Sequence, residues 1–202
     1  MKLVIMTKTT FFVEEDKILT SLYEEGMDNL HLSKPEATPM YYERLLSLLP
    51  EEMYRRITVH DHFYLKNEYG LAAIHLKDMD EPLPQGYKGR FTRSCTDLSR
   101  LRELKKKPEY VLLKNIFNGI ELKDEQANFT MKELEQAADS GLIDKHVYAM
   151  GGMSLDKIHI AKELGFGGVV ICGDLWNHFN IHNQQDYKEL ISHFEKLRKA
   201  IN

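Results

Sequence analysis

The sequence predicts an α/β fold of the (β/α)8 TIM-barrel type, in its minimal form, with residues 1–202 as a single domain. Three observations predict it. Eight short β-type runs alternate with helical runs from end to end. Several of the β runs are apolar throughout, as parallel strands covered by helices are. The 202 residues meet the lower limit of such barrels, roughly 200. A doubly wound open sheet is the rival, but its glycine fingerprint should follow the first strand. The run "KLVIMTKTTFF" contains no glycine.

The strand candidates are "KLVIM", "NLHLS", "ITVHD", "AAIHLK", "GRFTRSC", "YVLLKNIF", "HVYAMGG" and "GVVICG". Between them, "EEDKILTSLYEEG" reads as a helix capped by Gly26. "MYYERLLSLLP" is stopped by Pro50, and "DLSRLRELKKKP" opens on Asp97 and closes at Pro108. "TMKELEQAADSG" carries Thr130 and Glu133 at capping-box spacing. "SLDKIHIAKELG" starts at Ser154 with an apolar stripe of Leu155, Ile158 and Leu164. The last helix, "DYKELISHFEKLRKAI", starts near Asp186 and ends in basic residues that complement its dipole. "DMDEPLPQGYKG", after the fourth strand, reads as a loop. The lysines at 105–107 read as the solvated end of a helix.

Composition narrows the function classes. A net charge of −4 gives no electrostatic reason to expect nucleic acid or an anionic membrane as partner. The four apolar residues after Lys2 are too few for a signal peptide or a membrane span. Two cysteines, Cys95 and Cys172, make no disulfide framework and read as buried thiols of a cytoplasmic protein.

In such barrels the strand C-termini line the site, and phosphate often binds at the loops after strands seven and eight. Those positions carry Lys8, His31, Ser33, Lys34, His60, Asp61, His62, Lys77, Asp78, Asp80, Ser94, Lys114 and Asn115. The seventh strand ends in Gly151 and Gly152, and the eighth in Cys172, Gly173 and Asp174. Bare backbone N–H groups hold phosphate best where no Cβ obstructs approach. A turn with no ligand is the plain alternative for these glycines. Asp61 and Asp80, at neighbouring strand ends, have the chemistry to share Mg²⁺; a capping aspartate and a loop aspartate are the alternative. "HDH" at 60–62 raises zinc, but no third ligand stands at a recognised spacing.

Four stretches resemble the thiamine-phosphate synthases and the related thiazole tautomerases over nearly the whole chain. "LHLSKP" is similar to their strand-two signature, with Ser33 where an arginine is usual. "ITVHDHF" sets Asp61 on a metal-ligand position and His60 in place of an asparagine. "LAAIHLKDMD" sets the second ligand at Asp80, and "VYAMGG" with "GFGGVVICG" resembles the closing glycine pattern. The resemblance implies that Mg²⁺ on Asp61 and Asp80 holds the diphosphate of a hydroxymethylpyrimidine diphosphate. Lys34, His60 and Lys123 would face that diphosphate, with Ser33 beside them, and His31 and Ser94 would approach the pyrimidine. Gly151, Gly152, Ile171, Cys172 and Gly173 would hold a thiazole phosphate, largely through backbone. "NGIELK" puts Gly119 and Glu121 where the synthases carry hydroxyls.

The expected activity is therefore transfer of the pyrimidine to the thiazole phosphate with release of diphosphate, in thiamine biosynthesis. A metal-independent thiazole tautomerase and a non-catalytic thiazole-phosphate binder are the alternatives. The expected partners are phosphorylated small molecules, with a homodimer as the candidate assembly.

Overall fold

In the computed structural model, which describes residues 1–120, 125–180 and 187–202, the eight strands close into a barrel in sequence order. The strands are β1 (Lys2–Met6), β2 (Leu30–Leu32), β3 (Ile57–Val59), β4 (Ala73–Leu76), β5 (Phe91–Cys95), β6 (Val111–Leu113), β7 (Val147–Ala149) and β8 (Gly168–Ile171). Every neighbouring pair is parallel, and β1 closes on β8 with Lys2 opposite Gly168 and Ile5 opposite Ile171.

The helices are α1 (Glu15–Glu24), α2 (Pro39–Leu48), α3 (Tyr64–Glu68), α4 (Leu98–Leu104), α5 (Met131–Asp139), α6 (Ile158–Glu163), α7 (Gly173–Trp176) and α8 (Lys188–Ile201). Their boundaries follow local chemistry. Asp97 caps α4 by accepting from the Ser99 N–H at 2.8 Å. Thr130 and Glu133 form the reciprocal capping box of α5. Pro39 opens α2, and a 3-10 turn over Glu51–Arg56 follows Pro50. Gly26, at φ +93°, turns the chain out of α1.

Among the described residues no helix lies between β4 and β5, as the proline-bearing segment predicts. Three details differ from the sequence reading. The short helix α3 was not signalled, because five residues are too few to show a helical period. The segment from Ser154 begins as a 3-10 turn, Leu155–Lys157, and Ser154 donates to Asp156 at 2.5 Å instead of capping backbone. Lys105 is no solvated helix end. Its ammonium donates to the carbonyls of Gly141 and Leu142 at 3.0 Å each and pairs with Asp144 at 2.6 Å, tying α4 to the turn after α5.

Two apolar layers result. The larger lies between strands and helices, where outward strand residues such as Ile5, Leu30, Leu32, Val59, Leu76 and Ile171 meet Leu19, Leu46, Leu134, Phe194 and Leu197. The smaller fills part of the barrel lumen with Val4, Met6, Tyr110, Leu112, Tyr148 and Val170. Tyr110 and Tyr148 stack at 4.0 Å and 5°. That packing explains Gly168, where a Cβ would sit 2.6 Å from the Tyr148 ring. Cys95 is buried and Cys172 half-buried, and neither forms a disulfide.

Candidate active site

Strand parity decides what enters the lumen, because successive side chains point to opposite faces. On β1 and β6–β8 the inward residues are mostly apolar or aromatic. On β2–β5 they are His31, Thr58, His60, His75, Thr92 and Ser94, all buried. One half of the barrel interior is therefore polar.

These polar groups satisfy each other, as buried polar groups must. His31 Nδ1 meets His60 Nε2 at 2.8 Å, and His31 Nε2 meets the Tyr110 hydroxyl at 2.7 Å. Asn29 donates through its amide to that same hydroxyl at 3.0 Å. His75 reaches Thr92 Oγ1 at 2.7 Å and Ser94 Oγ at 2.9 Å. The His60 and His75 rings stack at 4.2 Å. Burial holds all three imidazoles neutral: His31 is pushed down to about 3, and His60 and His75 fall well below the ordinary histidine value. For His60 the neighbouring His75 and His31, then Lys77 and Lys114, add to the effect of burial. Burial likewise drives the Tyr110 phenol upward.

Above this layer lies the rim. Asp61 accepts from the Tyr42 hydroxyl at 2.9 Å and pairs with Lys77. Asp80 stands exposed and pairs with Arg100 at 2.7 Å. The Lys77 N–H donates to Glu81 at 2.6 Å. The two aspartates thus follow β3 and β4, and each carboxylate faces a cation. Carboxylate oxygens are the donor type Mg²⁺ takes, and here Lys77 and Arg100 hold them.

Lys34 takes a different place from the one its sequence neighbourhood implies. Its ammonium is buried, donating to Glu15 Oε1 at 2.5 Å and to the Thr10 carbonyl at 2.9 Å, and it sits 4.7 Å from the Phe11 ring centre. Burial lowers the Lys34 pKa and raises that of Glu15. Ser33 is held by backbone, its N–H donating to Thr7 Oγ1 at 3.1 Å.

Gly151 and Gly152 both have positive φ, +96° and +62°. A Cβ on Gly151 would lie 2.7 Å from the Asn115 backbone, and one on Gly152 only 2.2 Å from the Asn118 carbonyl. The segment after β6 therefore packs directly onto them, with the Phe117 N–H donating to the Gly151 carbonyl at 3.1 Å. Lys157 donates to the Gly152 carbonyl at 2.8 Å. Asp174, in the one-turn helix α7 that Gly173 opens, accepts from the Leu155 N–H at 3.2 Å and from His193 at 2.7 Å. One carboxylate thereby joins the loops after β7 and β8. Cys172 donates its thiol to the Thr7 carbonyl at 3.5 Å, and the Ile171 side chain is buried in the outer layer. The Gly119 N–H donates to the Glu125 carbonyl at 2.8 Å. Glu121 and Lys123 lie outside the described residues.

Of the expected site residues, His31, His60 and Ser94 meet inside the lumen, the first two by direct contact and Ser94 through His75. His62 turns away at φ +52° and binds the Ala37 carbonyl at 2.8 Å, so it shares no ligand set with His60. The sequence reading missed His75, Tyr110, Asn29 and Thr92. For His75 and Thr92 the signal was the position of a polar residue between apolar ones in "IHL" and on the inward parity of "FTRSC"; Asn29 and Tyr110 stand just before their strands and carried no such signal.

No protein-family model matches the chain, and a search of curated proteins finds no match. Solved structures do match. A thiamine phosphate pyrophosphorylase from Bacteroides thetaiotaomicron is 44% identical, covering 99% of this chain and 97% of its own, with a TM-score of 0.89. A thiamine phosphate pyrophosphorylase from Pyrococcus furiosus is 17% identical over 99% of this chain and 95% of its own, with a TM-score of 0.75. A 3-hexulose-6-phosphate synthase from Salmonella typhimurium is 12% identical over 100% and 98%, with a TM-score of 0.64. The last two share the fold. The 44% identity to the Bacteroides protein over 99% of this chain makes this chain a member of the thiamine phosphate pyrophosphorylase family.

Proposed function

We propose that the protein is a transferase that joins a hydroxymethylpyrimidine diphosphate to a thiazole phosphate and releases diphosphate. The observation that carries this reading is the end-to-end identity to a thiamine phosphate pyrophosphorylase, held together with a rim of cations and carboxylates over a neutral polar lumen. The reaction places two demands on a protein: neutralise a departing diphosphate, and fix the second substrate by its phosphate.

Asp61 and Asp80 are the residues that would hold Mg²⁺, which supplies charge neutralisation to the leaving diphosphate. Lys114, and Lys77 once it exchanges Asp61 for the ligand, lie near His60 and suit the diphosphate better than Lys34, because Lys77 is part-exposed at the rim whereas Lys34 is wholly buried on Glu15. His31, His60 and Ser94 would meet the pyrimidine with neutral donors and acceptors. The backbone of Gly151, Gly152 and Gly173 would receive the thiazole phosphate, and Asp174 would hold its two loops at fixed spacing. With leaving group and acceptor both fixed, the ring nitrogen of the thiazole takes the methylene as the diphosphate departs.

The test is direct. Incubation with both precursors and Mg²⁺ should yield thiamine phosphate and diphosphate in equal amounts. No product at high enzyme concentration would sink the reading, and metal-independent interconversion of thiazole tautomers would replace it with an isomerase.

A further inference from the structure

We propose that, while no pyrimidine occupies the barrel, His31, His60 and His75 form a binding site for one zinc-class divalent cation within its polar half, distinct from the rim carboxylates. Each imidazole offers a nitrogen, and these nitrogens all lie within 4.8 Å of one another. All three residues are buried. Tetrahedral coordination at about 2.0–2.1 Å per bond sets ligand nitrogens about 3.3 Å apart, so small ring rotations bring the three onto a common ion.

Two of the three histidines have the surroundings that ligating histidines require. A metal-bound imidazole normally donates its other N–H to a fixed acceptor, which sets tautomer and ring orientation. His31 has the Tyr110 hydroxyl at 2.7 Å on Nε2, leaving Nδ1 turned to His60. His75 has Thr92 Oγ1 at 2.7 Å on Nδ1, leaving Nε2 turned inward beside Ser94 Oγ. Both therefore present one nitrogen inward with the other anchored outward. With His31 protonated on Nε2 and donating to Tyr110, the proton in the 2.8 Å contact sits on His60 Nε2; its shift to His60 Nδ1, a change of tautomer, frees both facing lone pairs with no change in total protonation.

The donor set selects the metal class. Three imidazoles suit zinc, cobalt, nickel and copper, whereas Mg²⁺ takes oxygen ligands. Access comes from the rim, where His60 and Ser94 keep 6% and 4% exposure against 0% and 1% for His31 and His75. A fourth position facing that side would hold water or the Ser94 hydroxyl.

The experiment uses the full chain, stripped by chelator and titrated with Co²⁺ in excess Mg²⁺, with neither thiamine precursor present. Its outcome is therefore independent of the transferase reading. One Co²⁺ per chain should bind with the intense visible bands of four-coordinate cobalt, displaced by Zn²⁺. The bands should vanish in His75→Gln and persist in Asp80→Asn. A pale six-coordinate spectrum, or bands that survive His75→Gln, overturns the proposal. Should His75→Gln fail to fold, anomalous diffraction from Zn²⁺-soaked crystals of the unaltered protein decides. A peak between the three imidazoles supports the site; a peak only at Asp61 and Asp80, or none, overturns it.

Discussion

His31 Nδ1 and His60 Nε2 stand 2.8 Å apart inside the barrel, joining β2 to β3 across the layer on which the site rests. With His75 stacked on His60 at 4.2 Å, the lumen holds three uncharged imidazoles in mutual contact. This arrangement has a consequence for stability. The folded-state pKa of each histidine is lowered from the ordinary value, so the unfolded chain binds more protons as pH falls below about 6.5. Stability is complete above that value and is lost below it. Three such groups cost about 4 kcal/mol between pH 7.5 and 5.5. Urea unfolding at the two values measures the difference, and His75→Phe should reduce it by about a third. A pH dependence unaltered by that substitution would mean the histidines titrate freely in the folded protein.

The pair Lys34–Glu15 makes a second prediction. Both side chains are almost wholly buried, and Glu15 Oε2 has no hydrogen-bond partner among the described residues. Removing one member strands the other charge in the core, so Lys34→Met and Glu15→Leu should each lose about 3–5 kcal/mol. The double variant Lys34→Met/Glu15→Leu should recover most of that loss, since paired apolar replacement leaves no charge to desolvate. Additive losses in the cycle would contradict the pairing.

At the glycine turn, the prediction separates packing from ligand binding. Gly152 has φ +62° and no room for a Cβ against Asn118, so Gly152→Ala should destabilise the protein by about 3 kcal/mol or more. Asp174→Asn keeps the backbone conformation but weakens the tie to Leu155 and His193. It should raise the KM for thiazole phosphate while leaving the melting temperature nearly unchanged. Equal effects of both variants on stability would make Asp174 a folding residue.

The sequence and the structure agree best where short-range chemistry decides. Strand order follows from apolar runs spaced by helices, and Gly26, Asp97 and the Thr130–Glu133 box end or start helices where their side chains or conformations demand. The rim positions of Asp61 and Lys77 were legible, because they stand two and one residues past β3 and β4. The lumen was harder. His31, His75 and Tyr110 belong to three strands separated by 44 and 35 residues, and only barrel closure makes them neighbours. Lys34 shows the opposite difficulty. Its position past β2 suggests the mouth, but Glu15, on the preceding helix, captures its ammonium. A long side chain is placed by its partner more than by its backbone address.

The most direct measurement is Mg²⁺-dependent formation of thiamine phosphate by the unaltered protein and by Asp61→Asn. The unaltered protein should turn over, and Asp61→Asn should lose roughly 100-fold or more in kcat while keeping its fold, since Asp61 is only partly buried at the rim. Turnover unchanged in Asp61→Asn, or absent from both proteins, would contradict a transferase whose leaving diphosphate is held at that carboxylate.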